Sequence, residues 1–144
     1  MNVVGQARSV YGMHATLWLT EIERTDVLDD RVALDYLLHS LVKKIGMTVL
    51  DGPLMSTEQA DPLRYGHSGV VILVESHAAI HTYPKIRSLF FDMFSCKPFE
   101  MSDVCAVFAE ELGHCVIAEQ EVRDRGRHWG AVASRELERW QEQR

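Results

Sequence analysis

The sequence predicts an α+β domain: a two-layer sandwich in which a mostly antiparallel sheet carries two helices on one face. Strand-like segments outnumber helical ones and follow the order β-α-β-β-β-β-α-β. The links between the central strands are short, as antiparallel neighbours allow. A chain of 144 residues, 47% of them hydrophobic, suits one compact core. We expect the other face of the sheet to meet a second protomer.

The first elements are a strand and the clearest helix of the chain. Residues 14–22 are β-prone and partly alternating, which predicts the strand. Asp29 or Asp30 can cap the start of the helix that follows, and Gly46 can end it. One apolar stripe at helical spacing defines this helix: Leu34, Leu37, Leu38, Leu41, Val42 and Ile45.

A second strand begins within residues 47–50. Residues 56–67 are polar and contain Pro62 and Gly66, which predicts a long loop. Three short strands then follow in quick succession: residues 69–75, 78–83 and 89–95.

The C-terminal part predicts a second helix, a last strand and a further helix. Ser102 can cap the second helix, and Gly113 can close it. Residues 115–122 form the last strand. We expect one domain over residues 1–123 and a helical C-terminal extension over 124–144, in which Trp129, Ala133, Leu137 and Trp140 recur at helical spacing.

Composition and charge exclude several classes of function. A net charge of −6 and a pI of about 5.6 give no basic footprint for nucleic acid. The N-terminus lacks a basic start with an apolar stretch, and no apolar run reaches membrane-spanning length, so we expect no membrane partner. Three cysteines without a C-x-x-C pair indicate the reducing cytoplasm.

Reactive side chains cluster directly after the apolar run Val70–Val74. His77 and His81 are four residues apart, a spacing that would favour a metal site on a helix. Four residues of strand span about 13 Å, so the two imidazoles would not share an ion, and we expect no metal. Ser76 lacks the glycines of a hydrolase nucleophile turn, since Val74 and Ala78 occupy those positions.

Over approximately Gly12 to Val122, the chain resembles the prokaryotic S-adenosylmethionine decarboxylase family. Gly12-Met13-His14 is similar to the Gly-Arg-His that opens many members. Three further stretches carry the resemblance because several residue types match at fixed offsets: Glu75-Ser76-His77, then Ile80-His81-Thr82 with Pro84, and Asp92 with Phe94-Ser95-Cys96.

The resemblance implies a self-processing proenzyme. Cleavage between Glu75 and Ser76 would give chains 1–75 and 76–144, and Ser76 would become a pyruvoyl group. This cofactor would form a Schiff base with the substrate amine and act as the electron sink for decarboxylation, without metal or PLP. His81 and Ser68 match residues that assist processing, and Cys96 matches a proton donor.

Two departures from the family pattern concern the substrate. Lys85 follows Pro84 where the family has a Glu that contacts ribose, and Pro62 stands where an aromatic residue stacks on adenine. Tyr65 could replace that aromatic. A basic amino acid would instead require a carboxylate, and the candidates are Asp92, Asp61 and Glu58.

We therefore predict a pyruvoyl-dependent decarboxylase of polyamine biosynthesis. L-Arginine or L-ornithine is the first choice of substrate, and S-adenosylmethionine, converted to its decarboxylated form for spermidine synthesis, is the alternative. A further alternative is a non-processing relative that binds or regulates a partner. The resemblance also implies a homodimer of cleaved protomers with a small amino-acid-type substrate.

Overall fold

The fold is built on one six-stranded sheet, and the computed structural model describes residues 10–127 and 131–143. The strand order is β2-β3-β4-β5-β1-β6, and each of the five neighbouring pairs is antiparallel. The strands are β1 Val10–Thr20, β2 Val49–Glu58, β3 Gly66–Leu73, β4 Ser76–Tyr83, β5 Ser88–Ser95 and β6 Val116–Arg127.

Four α-helices accompany the sheet in the described part of the chain. They are α1 Thr25–Leu28, α2 Arg31–Lys44, α3 Met101–Leu112 and α4 Ala131–Glu142, and a short 3₁₀ turn covers Pro84–Ile86. No helix among the described residues is both long and apolar enough to span a lipid bilayer. Trp129, the first residue of the helical pattern in the C-terminal segment, lies outside the described residues.

One face of the sheet forms the core with α2 and α3. Alternate residues of β1 and β5 are buried on this face, as the period of two along a strand requires. Phe91 of β5 meets Phe108 of α3 edge to face, with 5.2 Å between the ring centroids. The predicted two-layer α+β fold with two helices on one face is therefore confirmed. The helices supply these buried residues: Leu34, Leu37, Leu38, Leu41, Val42, Val104, Val107, Phe108 and Leu112.

The two long core helices begin differently from each other. The Asp30 carboxylate accepts hydrogen bonds from the N–H groups of Val32 and Ala33, at 2.9 and 3.2 Å, and so caps α2. The predicted cap of α3 is wrong. That helix starts at Met101 after Glu100, whose side chain makes no capping bond, and Ser102 lies in its first turn.

The long loop predicted over residues 56–67 is also shorter than expected. β2 continues to Glu58 and β3 begins at Gly66, so only residues 59–65 connect them. Ser56 pairs with Ser68 in this ladder. β2 is an edge strand, where polar side chains are tolerated because one side of the strand faces solvent, and its polar composition therefore resembled a loop.

The second face of the sheet is open in the part of the chain that the structure describes. Ile72 and Phe90 expose 47% and 44% of their surface there. Trp18 stacks on Phe90 with 5.5 Å between ring centroids, and its indole N–H donates to Ser88 Oγ at 2.9 Å. This open face therefore carries an aromatic and aliphatic patch.

Candidate active site

The Glu75–Ser76 peptide bond lies at the tight turn between β3 and β4. Glu75 is only 1% exposed, and its Oε1 accepts a hydrogen bond from the Thr48 N–H at 3.0 Å. Its backbone carbonyl accepts from the Cys96 N–H, also at 3.0 Å. Ser76 has a φ of 153°, which residues other than glycine rarely adopt. The bond predicted to be cleaved is thus buried, hydrogen-bonded and backbone-strained on its C-terminal side.

Tyr11 joins Ser76 and Cys96 into one cluster. Its side chain forms hydrogen bonds with the side chains of both residues. Burial, followed by the Coulombic influence of Cys96, raises the pKa of Tyr11, while the Ser76 hydrogen bond acts in the opposite direction. Tyr11 is not among the site residues predicted from the sequence. Its position immediately before Gly12-Met13-His14 was the available signal.

Gly12 allows β1 to approach Cys96 closely. A Cβ on Gly12 would come within 2.9 Å of the Cys96 Cα and would meet the Ser95 carbonyl oxygen more closely still. Any larger residue would therefore push β1 away from the end of β5. Cys96 itself is 6% exposed. The glycine keeps the buried thiol and Tyr11 side by side.

Ser68 and His81 form a second pair, on neighbouring strands. They are directly opposite each other in the β3–β4 ladder, and Ser68 Oγ lies 2.8 Å from His81 Nδ1. Glu58, Arg64 and Tyr83 line the same small pocket, of about 190 Å³. The structure therefore brings together two residues that the sequence analysis associated with processing.

The Ser68–His81 pair does not reach Ser76 within this chain. Ser76 lies opposite Leu73 and Ser95, whereas His81 lies five positions further along β4, opposite Ser68 and Phe90. Five residues of strand span about 16 Å. β4 is continuous from Ser76 to Tyr83, so no turn brings the imidazole back to the serine.

Asp92 lies between two histidines on the open face. Its Oδ2 is 3.8 Å from His14 Nε2 and 3.7 Å from His77 Nε2. Phe94 lies beside both imidazoles, and the Arg125 guanidinium stacks 4.1 Å above the Phe94 ring. Asp92 therefore has partners within the chain. Across residues 10–127 and 131–143, no three His, Cys, Asp or Glu side chains are arranged to hold a metal ion.

The two departures from the family pattern contact each other. Lys85 Nζ donates to the Pro62 carbonyl at 3.4 Å and lies 5.5 Å above the Tyr65 ring. The Tyr65 hydroxyl donates to Asp29 Oδ1 at 2.5 Å. This bond, with a second one to His67, lowers the pKa of Asp29, and the Asp29 carboxylate raises the pKa of Tyr65. Lys85, Tyr65 and Asp29 thus fasten the 59–65 loop to the body of the domain.

The other two carboxylates proposed to bind a cationic substrate are Asp61 and Glu58, and both accept hydrogen bonds from residues of the same loop. Asp61 accepts hydrogen bonds from the Leu63 N–H at 2.9 Å and from Arg64 Nε at 3.0 Å. Glu58 Oε2 accepts from the Ala60 N–H at 3.2 Å.

Comparison with known proteins assigns the family. The family model described as S-adenosylmethionine decarboxylase matches residues 14–126. An S-adenosylmethionine decarboxylase proenzyme of Methanococcus maripaludis strain C5 is 35% identical over 85 residues, which are 59% of this chain and 65% of that protein. The proenzyme of Parasynechococcus marenigrum is 32% identical over 102 residues, 70% of this chain and 75% of the other.

A solved structure agrees with these sequence matches. The crystal structure of the adenosylmethionine decarboxylase from Aquifex aeolicus superposes with a TM-score of 0.64 at 25% identity, covering 82% of this chain and 92% of that one. The chain belongs to the S-adenosylmethionine decarboxylase family, which uses a pyruvoyl group made by self-cleavage. The match spans 65% of the length of the Methanococcus protein.

Proposed function

We propose that this chain is a self-processing, pyruvoyl-dependent decarboxylase that acts on S-adenosylmethionine. The observation that carries the proposal is the Cys96 N–H hydrogen bond to the Glu75 carbonyl, beside a strained Ser76. A carbonyl that is polarised by a fixed donor and flanked by a hydroxyl is suited to nucleophilic attack. Family membership supports the same chemistry.

The processing reaction uses the residues around that carbonyl. Ser76 Oγ attacks the Glu75 carbonyl carbon, and the Cys96 N–H stabilises the negative charge that develops on its oxygen. The amide C–N bond then breaks, leaving Glu75 joined to Ser76 through an ester and a free amine on Ser76. Loss of the α-proton of Ser76 and β-elimination release the Glu75 carboxylate and leave an enamine, which tautomerises to an imine. Water then hydrolyses the imine C=N bond and releases ammonia, so residue 76 becomes the pyruvoyl group.

The surroundings of Ser76 fit such a group. The Tyr11 side chain forms hydrogen bonds with the side chains of Ser76 and Cys96. When formed, the group supplies a carbonyl that withdraws electrons as the substrate loses its carboxylate. Cys96, buried and adjacent, delivers a proton to the carbon that lost carbon dioxide, and Tyr11 orients the thiol.

S-Adenosylmethionine is the better substrate for the geometry of the loop. Lys85 stands where the family has the Glu that contacts ribose, and a lysine there disfavours a cationic guanidinium or ammonium side chain by like-charge repulsion. The ribose of a nucleoside is neutral, so it would not be repelled by Lys85. The names of the relatives support the same choice.

A basic amino acid is the second candidate. Pro62 removes the aromatic that would stack on adenine, and Lys85 is engaged with the Pro62 carbonyl. Arginine or ornithine requires neither adenine stacking nor a ribose acceptor. Decarboxylation of the three compounds, measured side by side by carbon dioxide release, distinguishes them. Turnover of arginine or ornithine without turnover of S-adenosylmethionine would reverse our order.

A homodimer would explain why the Ser68–His81 pair lies far from Ser76 of the same chain. The open face exposes Ile72 and Phe90, apolar groups that a second copy would cover. We propose that His81 of one protomer assists processing at Ser76 of its partner, since about 16 Å of strand separates these residues within one chain. A cytoplasmic location remains a prediction from the three free cysteines.

Mass spectrometry of the purified protein tests the processing step. We expect two species, residues 1–75 and residues 76–144, the second with a blocked N-terminus. Ser76→Ala should remain full-length while keeping the fold. A wild-type chain that stays intact through prolonged incubation would instead support the non-processing, regulatory alternative.

A further inference from the structure

The C-terminal helix α4 packs against the candidate active site. It lies beyond residues 14–126, the part of the chain that the family model matches. Gln141 Nε2 donates a hydrogen bond to the backbone carbonyl of Cys96. Cys96 is thus held from two sides, by α4 through its carbonyl and by Glu75 through its N–H. The helix is therefore placed to influence the chemistry at this cysteine.

A pocket of about 260 Å³ lies between α4 and the start of β1. We call it the α4 pocket, and its walls include Tyr11 and Cys96 on one side and Leu137, Glu138 and Gln141 of α4 on the other. Leu137 and Gln141 are four residues apart and therefore share one face of the helix. The pocket is smaller than the roughly 300–1,000 Å³ that drug-sized ligands occupy, and it suits an amino-acid-sized group.

The charged groups of the α4 pocket are carboxylates. Asp124 and Glu138 both line it, and neither forms an ion pair with any part of the chain that the structure describes. The described lining contains no Lys or Arg. Lys97 and Arg125 follow the lining residues Cys96 and Asp124 in the sequence, but both make other contacts. Lys97 Nζ donates to the Gly46 carbonyl at 2.8 Å, and Arg125 stacks on Phe94.

We infer that α4 is a substrate-binding element, and that Glu138, with Asp124, binds the cationic part of the substrate next to Cys96 and Ser76. The inference rests on the proposed function, because it takes Ser76 and Cys96 as the reacting centre. The ligand class is an amino compound that carries a positive charge close to the carbon that loses its carboxylate. Such a charge would find two carboxylates in the same pocket as Cys96.

Glu138→Gln tests the inference, and Glu136→Gln is the matched control. Glu136 lies on the same helix, exposed and paired with Arg139 at 3.0 Å, and it does not line the pocket. We expect Glu138→Gln to raise KM for S-adenosylmethionine about fivefold to tenfold with kcat nearly unchanged, as loss of one charge-assisted contact predicts. The KM difference from wild type should shrink at high salt. Glu136→Gln should keep the wild-type KM.

A second variant and a processing assay distinguish failure of this inference from failure of the proposed function. Asp124→Asn should raise KM in the same direction, which keeps the test valid if Glu138→Gln is poorly folded. If both variants process, turn over substrate and keep the wild-type KM, this inference is wrong while the proposed function stands. If the wild-type chain neither cleaves nor decarboxylates, the proposed function itself fails.

Discussion

The backbone N–H of Cys96 donates a hydrogen bond to the carbonyl oxygen of Glu75 at 3.0 Å. That oxygen would carry the developing negative charge when Ser76 attacks the carbonyl carbon. A fixed donor aimed at such an oxygen lowers the barrier without reorganisation. Because the donor is main-chain, a side-chain substitution leaves it in place. Processing and decarboxylation can therefore be separated experimentally at this one residue.

Cys96→Ala should cleave and then decarboxylate poorly. The N–H that polarises the Glu75 carbonyl remains, whereas the thiol that we propose as the proton donor is lost, and proton transfer by a positioned group contributes about 10²- to 10⁴-fold. Gel analysis of cleavage and carbon dioxide release measure the two steps. Cys105→Ala, which changes a half-buried thiol on α3, should match wild type. Loss of cleavage in Cys96→Ala would show that the thiol itself acts in processing.

Ser76→Gly should be more stable than Ser76→Ala by about 1 kcal/mol. Neither variant can cleave, so both report on the intact chain. Glycine adopts the φ of 153° at little cost, whereas alanine retains the strain of a non-glycine residue there. Urea unfolding monitored by circular dichroism gives the free energies. Equal stability of the two variants would mean that little strain is stored at the scissile bond.

Mixed dimers should reveal whether His81 acts across the protomer interface. Ser76→Ala and His81→Ala chains should each remain uncleaved when expressed alone. Co-expressed with distinguishable tags, the His81→Ala chain should be cleaved, because its partner supplies an intact imidazole. Mass spectrometry identifies which chain is cut. Absence of cleavage in verified mixed dimers would place His81 in its own protomer's reaction, or outside processing altogether.

Acid should remove the stabilisation that Asp29 provides. The Tyr65 hydrogen bond, followed by that of His67, lowers the pKa of Asp29, so the ionised carboxylate is favoured in the folded state. This stabilisation is fully present above the ordinary pKa of 3.8 and is lost as the pH falls through the lowered value. Melting temperatures of wild type and Asp29→Asn should therefore converge in strong acid. A difference in melting temperature that does not change with pH would contradict the lowered pKa of Asp29.

Much of the architecture followed from the sequence because periodicity reports burial directly. The stripe from Leu34 to Ile45 correctly located α2, and the three short strands predicted over residues 69–75, 78–83 and 89–95 overlap β3, β4 and β5. The extent of β2 could not be predicted in this way, since an exposed edge strand does not need apolar residues. The Ser102 cap was also wrong, because a capping residue type indicates a helix start only when its side chain makes the bond.

The candidate site was less accessible to sequence reasoning. Ser68 and His81 could be named from their motif, but their contact depends on the strand register. Tyr11 and Gln141 lie 65 and 45 positions from Ser76 and Cys96 respectively, so only the folded chain shows that they meet. The contact between Lys85 and Pro62 arises in the same way.

The strand order has a consequence for the products of cleavage. A cut before Ser76 assigns β1, β2 and β3 to one product chain and β4, β5 and β6 to the other. In the sheet, β1 lies between β5 and β6, and β3 lies against β4. Three ladders, β3–β4, β5–β1 and β1–β6, therefore become intermolecular. The two product chains of such a cut would be interleaved, and neither could dissociate without dismantling the centre of the sheet.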